Sequence, residues 1–280
     1  MTGANGMLGR EFMQVGAKLG HQMTGWTRKQ LDLMRPERGL DGLRQLRPEM
    51  VIHCAAETDV DFCERNPELA KKVNAEAPGR LAEVCRENGS EFVFISTSGI
   101  FDGRQEEPYS ESNVPCPLTA YAKAKLEGEK AAAQAHPQAL VLRAGWLFGG
   151  SPDMKKNFVA ARLREAEGKE EIQSAIDKKG SPTWTRDFAE AALEMAASGK
   201  TGVFHLVNSG VASRRDYVVE ILAASGKQTR VRGVTSEPFS RSAPVPANES
   251  LVSGKVPPLR NWRPALREYV DTLAVQGIEK

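Results

Sequence analysis

Apolar residues in this chain alternate between short continuous runs and longer stretches in which they return every three or four positions. Leu8, Phe12, Val15 and Leu19 fall at helical intervals and predict a helix that opens directly after Thr2-Gly3-Ala4-Asn5-Gly6-Met7-Leu8-Gly9. His21 to Trp26 reads as a short strand. Met50-Val51-Ile52-His53-Cys54-Ala55-Ala56 reads as a buried strand ending in small side chains, with Glu57-Thr58-Asp59-Val60-Asp61 as the loop beyond it. A helix starts at Asn66-Pro67 and continues through Val73-Asn74-Ala75. Pro78 to Glu87 is a further helical stretch, and Glu91-Phe92-Val93-Phe94-Ile95-Ser96 is the next strand. Strand, helix, strand, helix, strand, joined by right-handed crossovers, gives an α/β fold with a doubly wound parallel sheet.

The second half is less regular. Tyr121 to Ala135 predicts a helix, Val141 to Ala144 a strand, Asn157 to Glu167 and Trp184 to Ala197 helices, and Val203 to Val207 a strand. Ser213 is placed to cap a helix running to Ala224, with Gly226 just past its end. Pro238 to Pro258 is proline-rich and is an ordered loop only if it packs on something. Leu259 to Leu273 closes the chain as a helix packed by Trp262 and Leu266.

The glycines at 3, 6 and 9 suit a loop that turns tightly, brings its N–H groups close to a pyrophosphate and lets helix and sheet pack together. The helix N-terminus then faces the phosphates. Gly3, Asn5, Gly6, Met7 and Leu8 are therefore candidate dinucleotide ligands, and the small Ala55 and Ala56 let a cofactor lie near the strand end. Only Met1 and Thr2 precede the loop, so the strand expected in the middle of a Rossmann-type sheet is missing from the sequence. A central slot left empty would lack hydrogen-bond partners on both sides. Just past Trp26, where a carboxylate would favour NAD, stand Thr27, Arg28 and Lys29. Thr27 and Arg28 welcome a 2′-phosphate and favour NADP, with NAD left open and Asp32 the one nearby acid against it.

Composition narrows the partners. With 38 basic and 36 acidic residues in 280, the net charge of +2 carries no signature of nucleic-acid or membrane binding. No apolar run is long enough to span a bilayer and no signal-peptide pattern opens the chain, so a cytoplasmic protein acting on small molecules is expected. Cys54, Cys63, Cys85 and Cys116 form no C-x-x-C pair, and His21, His53, His136 and His205 are dispersed, so no protein-built metal site is expected.

The chemistry concentrates at two places. Ser96-Thr97-Ser98 is a hydroxyl cluster at the carboxyl edge of a parallel strand, where such sheets bind ligands. Tyr121 and Lys125 are four apart and project from one helical face. A lysine beside a phenol favours the phenolate and is expected to bring Tyr121 toward neutrality as a proton donor and acceptor. Glycine loop, hydroxyl strand end and Y-x-x-x-K, in that order, resemble the extended short-chain dehydrogenase/reductase family. The resemblance implies that Tyr121 is the general acid or base, that Lys125 holds the nicotinamide ribose, and that Thr97 polarises the substrate carbonyl.

A narrower resemblance covers nearly the whole chain. Ala55-Ala56, Asn66-Pro67-Glu68-Leu69-Ala70, Val73 to Pro78, Ser96-Thr97 with Phe101-Asp102-Gly103, Arg143-Ala144-Gly145-Trp146, Asn157-Phe158-Val159, Gly180 to Thr183 with Arg186-Asp187, and Pro246-Ala247-Asn248 resemble the dTDP-4-dehydrorhamnose reductase family. It implies NAD(P)H-dependent reduction of the 4-keto group of dTDP-6-deoxy-L-lyxo-4-hexulose to dTDP-L-rhamnose, with Ser98, Trp146, Asn157 and Arg241 as substrate-binding residues. It also implies a cofactor domain of residues 1–149 plus about 181–208, and a small nucleotide-sugar domain of about 150–180 plus 209–280; whether the chain forms a homodimer stays open. The sequence departs from the family at three places: Ser98-Gly99 replaces an acid and an aromatic, Val245 an arginine, and Lys178 a glutamine. Three changes around one pocket imply a different sugar or weakened catalysis. The competing reading is a non-catalytic nucleotide-binding subunit, resembling the regulatory beta subunit of methionine adenosyltransferase.

Overall fold

The computed structural model describes residues 1–239 and 241–275. Its main sheet has four parallel strands in sequential order: β1 (Met50–His53), β2 (Glu91–Thr97), β3 (Leu140–Ala144) and β4 (Gly202–Leu206). Period-two alternation divides each strand between two cores. Ile52, Val93, Ile95, Leu140 and Leu142 face the layer formed by α1 (Met7–Lys18) and the helix Thr185–Ala197. Val51, Phe92, Phe94 and Val141 face the helices Glu37–Leu46 and Ala77–Asn88 and α2 (Ala120–Ala135). Buried on both faces, such strands read as continuous apolar runs, which is why the sequence pattern finds them.

The place next to β1 is held, at the level of the strands' carboxyl ends, by Met1 and Thr2. Thr2 bridges Trp26 on one side and His53 on the other, both in parallel sense. Its N–H donates to the Ile52 carbonyl at 3.0 Å, and the Trp26 N–H donates to the Met1 carbonyl at 2.7 Å. The Thr2 hydroxyl lies 2.7 Å from His53 Nδ1 deep in the structure. The slot that the sequence suggests is empty is therefore paired on both sides where it meets the glycine loop. The strand expected over His21 to Trp26 is reduced to the bridge between Trp26 and Thr2, with the Met1 ammonium donating to the Thr24 carbonyl at 2.7 Å. Trp26, Thr2, β1, β2, β3 and β4 thus stand in that order, and the chain reverses direction of travel across the sheet between Thr2 and β1. Crevices at such switch points, outside the carboxyl ends of the strands, are where these sheets bind ligands.

The helix over Pro67–Lys71 does not stop before Ala77–Asn88; a π-helical turn, Lys72–Glu76, joins them. Pro78 has no N–H to give the carbonyl four residues back, and the wider turn absorbs that loss. Gly128 of α2 packs directly on the Asn74 carbonyl, where a β-carbon would collide.

Beyond the main sheet, Trp146–Phe148 pairs with Pro182–Trp184, and Glu171–Ala175 with Arg230–Val234. A separate buried cluster joins Phe148, Val159, Ile172 and Trp184 to Tyr217, Val218, Trp262 and Leu266. Ser213 caps the helix Arg214–Ala224 in a reciprocal capping box with Asp216, as its place in the sequence predicts. The closing helix begins at Trp262, which is fully buried as a structural anchor, and runs to Val275 after the short strand Leu259–Asn261. The proline-rich stretch is ordered by packing; residue 240 within it lies outside the described residues. Asn248 pins it by donating to the carbonyls of Gln105 at 2.9 Å and Glu106 at 3.0 Å. No described helix is long and apolar enough to cross a membrane.

Candidate active site

A cavity of about 860 Å³ opens at the switch point, and its lining includes Gly3, Asn5, Gly6, Met7, Leu8, Thr27, Arg28, Ala55, Ala56, Tyr121 and Lys125. All eleven residues that the sequence marks for the cofactor are thus gathered around one space. The glycines are there for closeness. Gly3 has φ +70°, and a β-carbon on it would stand 2.7 Å from the Ala55 nitrogen; one on Gly9 would collide with the Gly3 carbonyl. Gly6 occupies the N-cap of α1 without a capping side chain, and no acid lies in the first turn. Met7 and Leu8, which line the cavity, therefore open a helix whose first N–H groups have no capping side chain, a fit for a pyrophosphate at the positive end of a helix. Gly9→Ala is expected to weaken NADPH binding about tenfold to a hundredfold, the equivalent of forcing one carbon into a packed turn. Calorimetric titration beside Gly42→Ala, where the added carbon meets only the Trp26 ring at 3.5 Å, checks this.

The loop after β1 is held by a residue that sequence reasoning did not assign a role. Asn74, buried in the π-helical turn, accepts from the Glu57 N–H and donates to the Glu57 carbonyl, both at 2.9 Å. This fixes Ala55 and Ala56 against the cavity. On the adenosine side, the Arg28 guanidinium lies 3.6 Å from Asp32 and its side chain is 81% exposed, free to meet an added phosphate. The Thr27 hydroxyl donates to Gln30 at 2.7 Å and so shapes the turn as well as lining the cavity.

α2 brings Tyr121 and Lys125 to the cavity. Thr119 caps it through the Ala122 N–H at 3.1 Å, and Glu64 accepts from the Ala120 N–H at 2.8 Å. Thr97, at the end of β2, accepts from the Gly99 N–H at 3.1 Å and stands close enough to the Tyr121 phenol to favour its ionised form. Tyr121 and Lys125 thus line one cavity with Thr97 close to the phenol, but the electrostatics differ from the expectation. Burial, opposed by the nearby Thr97 hydroxyl, pushes the Tyr121 phenol up to about 12 rather than toward neutrality. The reason is where the ammonium goes: Lys125 Nζ donates to the Ile95 carbonyl at 2.6 Å and sits 4.1 Å from the centre of the Phe94 ring. Burial also lowers Lys125 to about 8, with Glu129, one turn further along α2, opposing the shift.

The expected substrate residues divide. Trp146 is half-buried, with its ring against Gly180 on one side and the Arg214 guanidinium 3.4 Å from the ring centre on the other. Its Nε1 donates to Glu249 Oε2 at 2.9 Å. Neither Arg214 nor Glu249 was identified from sequence, because nothing local marks them; both are carried in from distant elements. Ser98 is buried in the 3₁₀ turn Ser98–Ile100 beside Thr97. Arg241 is exposed, close enough to Asp61 to help hold that carboxylate low, after the hydrogen bond from the Ala243 N–H. Asn157 departs from expectation. It is 1% exposed, its Oδ1 caps the helix Phe158–Glu165 through the Ala160 N–H, and its Nδ2 donates to Tyr269 at 2.7 Å and to the Ser151 carbonyl at 3.0 Å. Every polar atom is committed to the fold, so its place is structural. Among the described residues, no group of three His, Cys, Asp or Glu side chains is set to hold a metal ion.

Comparison with known proteins agrees with this geometry. The chain is 37% identical over 277 residues to a dTDP-4-dehydrorhamnose reductase of Mycobacterium tuberculosis, covering 95% of this chain and 90% of that protein. It is 34% identical over 286 residues to one of Streptomyces griseus, covering 98% and 93%. Its structure is similar to that of a dTDP-4-dehydrorhamnose reductase from Clostridium acetobutylicum, with a TM-score of 0.92, 34% identity, and 97% and 98% of the two chains covered. The Bacillus anthracis reductase, solved in complex with NADP, gives a TM-score of 0.91 at 27% identity, with 97% of each chain covered. The RmlD substrate binding domain matches residues 1–275, and the chain belongs to that family.

Proposed function

We propose that the protein reduces the 4-keto group of a dTDP-6-deoxy-hexulose with NADPH, giving dTDP-L-rhamnose or a closely related deoxysugar. The observation that carries this is the convergence of Tyr121, Lys125 and the uncapped helix N-terminus on one cavity, with Thr97 on the phenol. Bound NADPH supplies the hydride to C4. Tyr121, held protonated, gives its proton to the oxygen that hydride addition charges, and Thr97 hydrogen-bonds that oxygen or the phenol as charge develops. Lys125 holds the ribose, and Arg28 faces the 2′-phosphate. The buried cluster that joins Val159, Leu163 and Ile172 to Tyr217, Val218 and Trp262 supports reading 150–180 plus 209–280 as the nucleotide-sugar lobe, with Phe148 and Trp184 of the cofactor lobe packed against it.

A binding subunit has no use for a phenol held between Thr97 and a cavity, which favours the enzyme. The test is single-turnover oxidation of NADPH and of NADH with enzymatically generated dTDP-4-keto-6-deoxy-L-lyxo-hexulose. Rapid oxidation with NADPH and slower with NADH is expected; NADPH bound but never oxidised by any 4-keto sugar would sink the reductase reading.

Lys125 gives this reading a pH dependence. In the free protein the ammonium is lost near 8. Hydrogen bonds to the bound ribose, with the cofactor's phosphates near by, favour the charged form in the complex. The bound-state value therefore lies above the free one, so affinity is fully present below about 8 and is lost as pH rises through it. Calorimetric NADPH affinities measured from neutral to alkaline pH are expected to decline on that side alone, and the decline is expected to vanish in Lys125→Met.

A further inference from the structure

Gly99, one of the residues that depart from the family pattern next to Thr97, lies close to a carboxylate carried in from a distant loop. A β-carbon added to Gly99 would lie 3.3 Å from Glu249 Oε1 and 3.5 Å from Thr97 Oγ1. Glu249 Oε2 is taken by the Trp146 indole at 2.9 Å, whereas Oε1 has no hydrogen-bond donor among the described residues. The carboxylate is near enough to Tyr121 and to Arg214 to act on both electrostatically.

Its position is held by the backbone. The Glu249 N–H donates to the Lys179 carbonyl at 2.9 Å, and the Lys179 N–H donates to the Ala247 carbonyl at 2.8 Å. On either side, buried Asn248 is tied to the 105–107 loop, and buried Ser250 donates to Asn248 Oδ1 at 2.6 Å. A half-buried acceptor, pre-positioned with one oxygen open beside the reacting trio, is built to receive a donor from the substrate.

Resting on the reductase reading, we infer that Glu249 is the residue that selects the sugar: its open Oε1 accepts the hydroxyl on the carbon next to the ketone, and Gly99 is small to admit it. Thr97 and Tyr121 fix the ketone oxygen at C4. The neighbouring ring carbons of a 6-deoxy-4-hexulose carry a hydroxyl at C3 and a methyl at C5. A carboxylate set across Gly99 from Thr97 accepts from the hydroxyl and gains nothing from the methyl. Ser98 stands where the family pattern places an acid, and Glu249 brings a carboxylate close to the neighbouring Gly99 from another part of the chain.

The experiment is steady-state kinetics with dTDP-4-keto-6-deoxy-L-lyxo-hexulose and its 3-deoxy counterpart, for the wild type, Glu249→Gln, Glu249→Ala, Gly99→Ala and the Gly99→Ala/Glu249→Ala pair. Glutamine keeps an acceptor for Trp146 while removing the charge. Loss of a charged hydrogen bond is expected to raise KM for the 3-hydroxy sugar about tenfold to a hundredfold with a much smaller change in kcat. KM for the 3-deoxy sugar stays put, so the wild type's preference collapses in Glu249→Ala. Gly99→Ala raises KM in the wild type by displacing the carboxylate, and adds nothing once Glu249 is alanine. Melting temperatures unchanged in Glu249→Gln and Gly99→Ala separate this from a folding effect, and these two variants suffice if Glu249→Ala fails to fold. An unchanged KM and an unchanged 3-hydroxy preference in both Glu249 variants overturn the inference. A wild type that binds NADPH but reduces neither sugar overturns the proposed function, and the inference with it.

Discussion

Tyr121→Phe is expected to lower kcat by about a hundredfold to ten-thousandfold, the range associated with losing a positioned proton donor, while NADPH binds as before. The substitution removes one oxygen and keeps the ring, which packs on the cluster of Cys63, Ala70 and Ala124. Lys125 donates to the Ile95 carbonyl rather than to the phenol, so its position survives the change. Stopped-flow NADPH oxidation with calorimetric cofactor binding separates the two effects, and turnover within tenfold of the wild type would remove Tyr121 from the chemistry. The raised phenol adds a direction. Held up to about 12, Tyr121 stays protonated through the neutral range, so reduction needs no titration to make its acid available. Alcohol oxidation in reverse needs the phenolate, and its rate is expected to climb with pH where the forward rate is flat.

That electrostatic result marks the boundary of what the sequence discloses. Four-residue spacing is enough to place Tyr121 and Lys125 on one helical face, because helix geometry is local. The direction in which the ammonium points depends on the Ile95 carbonyl and the Phe94 ring, which come from β2, about thirty positions away. The same division holds for the fold. β1, β2 and β3 are legible because strands covered on both faces carry unbroken apolar runs, Met50 to Ile52, Phe92 to Ile95 and Leu140 to Leu142. Glu171–Ala175 and Arg230–Val234 are not, since each is a short, largely polar strand that exists by pairing with the other across more than fifty residues. The helix Glu37–Leu46 is likewise quiet in sequence: it follows Pro36, has no side-chain cap, and contains Gly39 and Gly42. Trp146 is conspicuous as an aromatic at a strand end, whereas Glu249, its hydrogen-bond partner, lies 103 positions away in a loop with nothing to distinguish it. Asn157 shows the opposite failure. A motif residue resembling a substrate ligand is a helix cap, and only its saturated hydrogen bonds reveal that.

Behind the active site, Arg143→Ala is expected to cost about 3–5 kcal/mol of stability, the range found when one partner of a buried ion pair is removed. Arg143 of β3 and Glu129 of α2 are 6% and 5% exposed and meet through two nitrogens, the closer contact at 2.7 Å. The Ser96 hydroxyl donates to Glu129 Oε1 at 2.5 Å, and Arg143 Nη1 lies 3.3 Å from His205 Nε2. His205 Nδ1 reaches the Tyr109 and Val252 carbonyls at 3.0 Å, so the imidazole donates there and accepts from Arg143. Burial, joined by Arg143, lowers its pKa and keeps it neutral, despite Glu111 pulling the other way. Removing the guanidinium leaves the Glu129 carboxylate in the core with the Ser96 hydroxyl as its hydrogen-bond donor and Lys125 as the nearby cation. Denaturant unfolding measures the loss, and the Glu129→Leu/Arg143→Leu pair is expected to recover much of it because no charge is then stranded. Glu129 also connects this network to catalysis, since its charge raises Lys125 against the larger effect of burial. Glu129→Gln is therefore expected to move the loss of NADPH affinity to lower pH than in the wild type. A single-mutant cost below about 1 kcal/mol, the value of an exposed pair, would mean that water reaches the carboxylate, and an unmoved pH limb would mean that Glu129 stabilises the fold without tuning the lysine.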